Sequence, residues 1–284
     1  MTDAHRIAVP KRVSLITGAS SGFGEACARH LAAKDYRVFG TSRKASFDPP
    51  GRPGTQGAPY RMIPMDVRDT VSVQRGIDVV LQETGRIDAV VCNAGFGVAG
   101  SVEDTTVEEA QQQLDTNFFG VWRVCRAVIP HMRRQGGGYL VIVSSLAGLM
   151  GIPFQAAYSA SKFALEGMAE ALRMEVKPWG INVVLIEPGD FRTRFTQNRV
   201  TTAGAQHAAY AAAFRRALTV MEEEERRGPP PELVAHLLER ILKHPSPRLR
   251  YTAGSPLQRS GALLKRLLPG KLFEFLMMTT YNLR

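Results

Sequence analysis

Tyr158 and Lys162 stand four residues apart in Tyr158-Ser159-Ala160-Ser161-Lys162, within a segment, 155–177, whose pattern predicts a helix. At that spacing both side chains leave one helical face. A free phenol titrates near ~10 and is a poor base at neutral pH, but a lysine ammonium a few ångströms away favours the phenolate and lowers that value. The pair could then move a proton to or from a bound oxygen. Ser145 follows Ser144 at the end of a predicted strand, thirteen residues before the tyrosine, and Asn117 lies forty-one residues before it on a predicted helix. Each alone has an ordinary reading, a turn cap or a polar helix position.

A second chemical candidate is Thr17-Gly18-Ala19-Ser20-Ser21-Gly22-Phe23-Gly24. Three glycines between an apolar strand and a helix allow a tight turn and let a pyrophosphate approach the helix N-terminus. After the next strand come Ser42, Arg43 and Lys44, where an acid would bond a ribose 2′-hydroxyl. No acid is there. Arg43 with Ser42 would instead pair with a 2′-phosphate, which predicts NADP(H) over NAD(H).

These residues need a scaffold, and the hydrophobic pattern supplies one. Short apolar strands at 13–17, 37–41, 60–64, 87–92, 139–143 and 181–186 alternate with helices at 22–34, 72–83, 107–134 and 155–177. Strands apolar throughout are buried on both faces, which a parallel sheet between helix layers requires. The fold class is α/β, a doubly wound parallel sheet with helices on both faces. Ligands of such sheets bind beyond the carboxyl ends of the strands, so Gly18, Asn93, Ser145 and Pro188 should converge on one edge. Departures from the alternation are a Pro- and Gly-rich loop at 45–59, a helical stretch at 203–227, a helix at 231–243 and a last strand at 248–252. The acidic run Glu222 to Glu225 reads as a solvated helix face. Residues 1–254 form one domain on this reading, with 255–284 a helical extension.

The T-G-x-x-x-G-x-G turn, the Ser-Ser pair, the Y-x-x-x-K pair and Asn117-Phe118-Phe119-Gly120 together resemble the short-chain dehydrogenase/reductase family over roughly residues 12–195. The resemblance implies a Rossmann-type fold and hydride transfer between NADP(H) and a carbonyl or alcohol. It makes Tyr158 the general acid or base, Ser145 the residue holding the substrate oxygen, and Asn117 the residue ordering a water that relays protons through Lys162. On the cofactor side it implies Gly18, Ser20, Ser21, Gly22, Phe23 and Gly24 at the phosphates, Ser42 and Arg43 at the ribose, and Asp66-Val67 at the adenine. Asn93-Ala94-Gly95, Tyr158, Lys162, Pro188-Gly189 and Thr193 would flank the nicotinamide side. Family members commonly pair through their long helices, which implies a homodimer or homotetramer.

Composition narrows the class. With 44% apolar residues the chain can bury a large core, and a net charge of +10 favours anionic partners. No zinc-finger spacing or aromatic RNA-binding signature accompanies that charge, so nucleic acid is not expected. Cys27, Cys92 and Cys125 suit a reducing compartment, the histidines form no metal-ligand spacing, and no signal sequence or membrane span is read, so the expectation is a metal-free, cytoplasmic enzyme. Leu149, Met150, Phe154, Phe191, Phe195, Tyr210 and Phe214 would line an apolar substrate site, fitting a steroid, retinoid or fatty carbonyl. Residues 256–281 mix Leu, Phe and Met with Arg259, Lys265, Arg266 and Lys271, a pattern for either a membrane surface or docking on the parent domain or a second subunit. Similar tails occur in members resembling retinol or 17β-hydroxysteroid dehydrogenases. The competing reading is an NADP(H)-binding redox sensor on the same fold.

Overall fold

The computed structural model describes residues 11–46, 59–202 and 208–284. Residues 47–58 of the expected loop, the first ten residues and 203–207 lie outside the described residues. In chain order the elements are β1 (Val13–Ile16), α1 (Gly22–Ala32), β2 (Arg37–Ser42), β3 (Arg61–Pro64), α2 (Thr70–Thr84), β4 (Ala89–Cys92), β5 (Val98–Ala99) and α3 (Val107–Leu114). There follow α4 (Gly120–Arg134), β6 (Gly138–Val143), α5 (Ala156–Val176), β7 (Ile181–Pro188), α6 (Phe195–Asn198) and β8 (Val200–Thr201). The chain ends with α7 (Ala208–Arg227), α8 (Glu232–Lys243), β9 (Arg250–Ala253), α9 (Pro256–Leu267) and α10 (Gly270–Thr280).

Seven strands form one parallel sheet in the order β3-β2-β1-β4-β6-β7-β9, as the apolar runs required. Alternate side chains of each strand serve two separate cores. Leu15, Val90, Cys92, Leu140, Ile142, Val183 and Leu185 point to one face, where α2, α4 and α5 cover them with Ile77, Val124, Val128 and Leu165. Ile16, Val91, Val141, Val184 and Ile186 point to the other, under Leu31 of α1 and Val234, Leu238 and Ile241 of α8. Burying each of these side chains contributes about 1.5–3 kcal/mol, so slipping one strand by a residue would exchange its two sets and leave neither matched.

Local sequence sets the helix ends. Asp69 accepts from the amides of Val71 and Ser72 at 3.0 and 3.2 Å to start α2, and Gly85 closes it with φ +70°. Thr106 and Glu109 form a reciprocal capping box at α3. The single helix expected over 107–134 is instead α3 and α4 joined by a π-helical turn, Asp115–Phe119, with Asn117 at its centre. The widened turn follows from Asn117, whose side chain is fixed to a neighbouring loop instead of following the helical face.

The last strand, β9, docks on β7 through charge. Arg250 reaches Glu166 at 2.9 Å, Glu170 at 2.6 Å and Glu187 at 3.3 Å. Glu187 is 1% exposed, and burial first, then the nearby Glu166 carboxylate, push its carboxyl up to about 7 against the opposing pull of Arg250. The folded chain therefore holds this proton more tightly than the unfolded chain, so the associated stability is present below the ordinary carboxylate range and lost as pH rises through about 7. Thermal melts should show the wild-type Tm falling further between pH 5 and pH 8 than that of Glu187→Gln, with equal falls refuting the assignment.

Candidate active site

The turn between β1 and α1 is held by side chains of its own neighbourhood. Gly18 and Gly22 adopt φ +66° and +58°, left-handed conformations that favour glycine, and a Cβ at Gly18 would meet the Ala94 backbone at 2.9 Å. A Cβ at Gly24 would fall on the Gly18 carbonyl oxygen and the Asn93 amide. Thr17 Oγ1 accepts from the backbone amides of Asn93 and Ala94 at 2.9 and 3.0 Å, while Asn93 Nδ2 donates to the carbonyls of Thr17 and Gly18 at 3.0 and 3.1 Å. Asn93 is thus a clip between β4 and the turn, and its side-chain N–H groups are used there. The Ser21 hydroxyl makes no cap bond, so the first turn of α1 is open toward the phosphate position. Thr193 stands across it, its Cβ 3.6 Å from where a Gly22 Cβ would lie.

At the ends of β2 and β3, Ser42 Oγ accepts from the Lys44 amide at 3.2 Å, and Arg43 is exposed. Asp66 is held by Arg68 through contacts of 2.7–3.2 Å, and the Arg68 hydrogen bonds keep its carboxyl below the usual carboxylate range. Val67 is buried against Gly120. Room bounded by glycines and an uncapped helix start fits a dinucleotide pyrophosphate.

Beyond β6 and at the start of α5 the second group assembles. Ser145 Oγ donates to the Pro188 carbonyl at 3.3 Å and accepts from the Ala147 amide at 3.1 Å, which joins the end of β6 to that of β7. Lys162, buried, donates from Nζ to the carbonyl of Val143 at 2.8 Å and lies 5.6 Å from the centre of the Tyr158 ring. Asn117 is also buried; Nδ2 donates to Phe96 O at 3.0 Å and to Ser161 Oγ at 3.2 Å, and Oδ1 accepts from Phe96 N at 3.1 Å. These bonds make Asn117 a clamp between the loop after β4 and α5.

Residues 12–204 match the model of the short chain dehydrogenase family. The chain belongs to that family. It is therefore an oxidoreductase of a nicotinamide-dependent type. Among its relatives is a 3-ketodihydrosphingosine reductase of Bacteroides thetaiotaomicron, 40% identical over 96% of this chain and 99% of that one. A 17-beta-hydroxysteroid dehydrogenase type 1 of Mus musculus is 36% identical over 84% of this chain and 72% of its own length. A solved short-chain dehydrogenase from Streptomyces avermitilis, 31% identical, superposes with a TM-score of 0.76 over 90% of this chain and 93% of its own.

Within this family member, burial governs the titrating pair more than their proximity. Burial pushes the Tyr158 phenol up to about 12; hydrogen bonding to Ser145 draws it down, Glu225 and Asp190 add to the rise, and Arg199 opposes it. Burial lowers the Lys162 ammonium to about 8 against the pull of Glu166. Lys162 Nζ is committed to the Val143 carbonyl, and burial moves both groups toward their neutral forms. Among the described residues no group of three His, Cys, Asp or Glu is arranged to hold a metal ion.

The substrate side differs from the expectation in three places. Phe191 packs edge-on against Phe23 at 5.0 Å in the core, and Tyr210 donates to Glu103 at 2.8 Å. Phe195 stands 5.5 Å from the Tyr158 ring, and Phe154 meets Phe214 at 5.5 Å. Glu225, read as solvated, is buried and bound to Arg199 and Thr196. Just beyond β7, Asp190 and Gln258 meet with no motif to mark them: Gln258 of α9 accepts from the Asp190 amide at 3.1 Å and donates to its carboxylate at 2.7 Å.

Proposed function

We propose that the chain reduces the carbonyl of a lipophilic substrate with NADPH. The observation that carries this reading is the meeting of Ser145, Tyr158 and Lys162 with the Pro188 loop on the edge where the glycine turn opens. A reduced nicotinamide bound there would supply hydride to the carbonyl carbon. The Tyr158 hydroxyl donates its proton to the carbonyl oxygen, and a phenol raised to about 12 remains protonated at neutral pH and ready to donate. Ser145 Oγ, already hydrogen-bonding in the same place, holds that oxygen. Lys162, on the same helix face, returns a proton toward Tyr158 after each turnover. Arg43 and Ser42 hold the 2′-phosphate. The rings of Phe154, Phe195 and Phe214 favour an apolar chain, and the relative named as a 3-ketodihydrosphingosine reductase favours a long-chain ketone over a compact one.

The surface formed by α9 and α10 favours access from a lipid layer. Leu264, Leu267, Leu272, Phe275 and Leu276 are exposed alongside Arg266 and Lys271, while Lys265 tethers α9 to the body by donating to the Leu149 carbonyl at 2.6 Å. No helix among the described residues is long and apolar enough to cross a membrane.

Three outcomes are expected. NADPH consumption against ketones of increasing alkyl length should rise in kcat/KM with length, and Tyr158→Phe should lose at least about a hundredfold in kcat; Tyr158-independent turnover overturns the mechanism. Arg43→Asp should lower the ratio of NADPH to NADH efficiency at least about tenfold, by loss of a charge-assisted pair; an unchanged ratio removes the 2′-phosphate assignment. The chain should float with anionic phospholipid vesicles and the Leu267→Asp, Leu276→Asp variant should not, whereas no flotation of the unaltered chain ends the lipid-surface reading.

A further inference from the structure

Ser144 and Ser145 end β6, and successive side chains of a strand point to opposite faces. Ser145 Oγ turns to the Pro188 carbonyl in the candidate site, whereas Ser144 Oγ turns to α5 and donates to Glu166 Oε1 at 2.6 Å. The Ser144 amide still pairs with the Ile186 carbonyl of β7 at 2.8 Å, so this contact is made where the sheet ends. Ser144 and Glu166 are 3% and 6% exposed, which makes it a desolvated, charge-assisted hydrogen bond. Hydride transfer as described above gives Glu166 no part.

Glu166 lies on the helical face of the reacting groups. Tyr158, Lys162 and Glu166 follow one another at intervals of four along α5. Lys162 Nζ donates to the Val143 carbonyl at 2.8 Å and Glu166 accepts from Ser144, so two successive turns of α5 grip two successive residues of β6. Gly148 closes the cluster from the turn after β6. A Cβ there would stand 2.8 Å from Ser144 Oγ, 3.0 Å from the Lys162 carbonyl oxygen and 3.2 Å from Glu166 Cγ, so even a methyl group would crowd all three. Glu166 Oε2 is held by Arg250 Nε of β9 at 2.9 Å, and Arg250 also reaches Glu170 of α5 at 2.6 Å and Glu187 of β7 at 3.3 Å. Around Lys162 are thus the Tyr158 phenol and the Glu166 carboxylate on its own helix, Val143 of β6, and the uncharged Asn117 of the π-helical turn, bonded to neighbouring Ser161. Burial lowers the Lys162 ammonium to about 8, and the Glu166 carboxylate opposes the fall.

We propose that Glu166 is a positioning residue for Ser145 and Lys162: through Ser144 it fixes the end of β6 that carries Ser145, and from the next turn of α5 its negative charge faces the Lys162 ammonium. The inference rests on the carbonyl-reductase reading above and adds a residue to it. Arg250 supplies the counter-charge that a buried carboxylate requires. It brings that charge from β9, so the last strand of the sheet helps place groups at the ends of β6 and α5. The proton returned to Tyr158 leaves from Lys162, and turnover therefore needs the ammonium. Without the Glu166 charge the ammonium falls further, and turnover fails at a lower pH.

The test uses Glu166→Gln, which keeps the shape and an acceptor for Ser144 but removes the charge, and Ser144→Ala, which removes the hydrogen bond but keeps the charge. NADPH consumption with a long-chain ketone is followed against pH, and kcat is expressed per NADPH-binding site counted by NADPH fluorescence. The basic limb of wild-type kcat should lie at about 8. In Glu166→Gln that limb should move down by about one pH unit or more, the effect of removing a nearby opposite charge. Ser144→Ala should leave the limb in place and lower kcat about tenfold with KM for the ketone unchanged, since only the placement of Ser145 is disturbed. A merely structural role would lower the count of binding sites and move no limb. The Lys162 midpoint is also read without turnover, by NMR of protein carrying 13C at lysine Cε, the signal being assigned by its loss in Lys162→Arg. An unmoved Lys162 midpoint in Glu166→Gln, or wild-type kcat in Ser144→Ala, overturns the assignment, and the second result does so even where Glu166→Gln does not fold. Wild-type protein that binds NADPH and reduces no ketone overturns the reductase reading alone, because the NMR midpoints still decide whether Glu166 acts on Lys162.

Discussion

Parallel pairing of β1 with β4, of β4 with β6 and of β6 with β7 is the constraint from which the rest of the molecule follows. Parallel strands cannot be joined by tight turns, so the chain passes through helices between β1 and β4, β4 and β6, and β6 and β7, and these strands end at the same edge. That edge collects Gly18, Asn93, Ser145 and Pro188 from four strands. The hydrogen bonds between Thr17 and Asn93, and between Ser145 and Pro188, then lock neighbouring strand ends together, so the groups proposed for chemistry are also joints of the sheet.

Desolvation gives those joints their electrical character. Tyr158 and Lys162 are each pushed toward the neutral form, and Glu187 and Asp190 are pushed the same way on the far side of the β7 strand end. A proton donor near a carbonyl benefits from a phenol that stays protonated. Arg250 and Arg199 counter the buried carboxylates from two directions, the first toward the sheet and the second toward the substrate side. Buried carboxyls are thus concentrated at the end of β7 and on the loop that follows it.

The C-terminal helices complete the arrangement. α9 reaches the site through Gln258 and the body through Lys265, while Arg216 of α7 donates to the Asn282 carbonyl at 2.7 Å near the end of the chain. Their outer side carries exposed leucines.

Local patterns were enough to read the strands, most helices, the glycine turn and the positions of Tyr158, Lys162, Ser145 and Asn117, because each depends on spacing along the chain or on an apolar run. Asn117 was legible as a candidate, but its clamp on Phe96 and the π-helical turn around it were not, since both require the loop after β4 to lie beside the helix. The acidic run misled for a similar reason: Glu222 to Glu225 alternate around a helix, and only the approach of Arg199 from another element makes Glu225 a buried partner. Asp190 and Gln258 are sixty-eight residues apart and ordinary in composition, and their contact exists only because β9 turns the chain back across the sheet edge. The sequence by itself determined the alternating scaffold and the chemistry-bearing positions, which are local properties; tertiary structure decided which charges are buried together, because burial and Coulomb energy depend on distance through space.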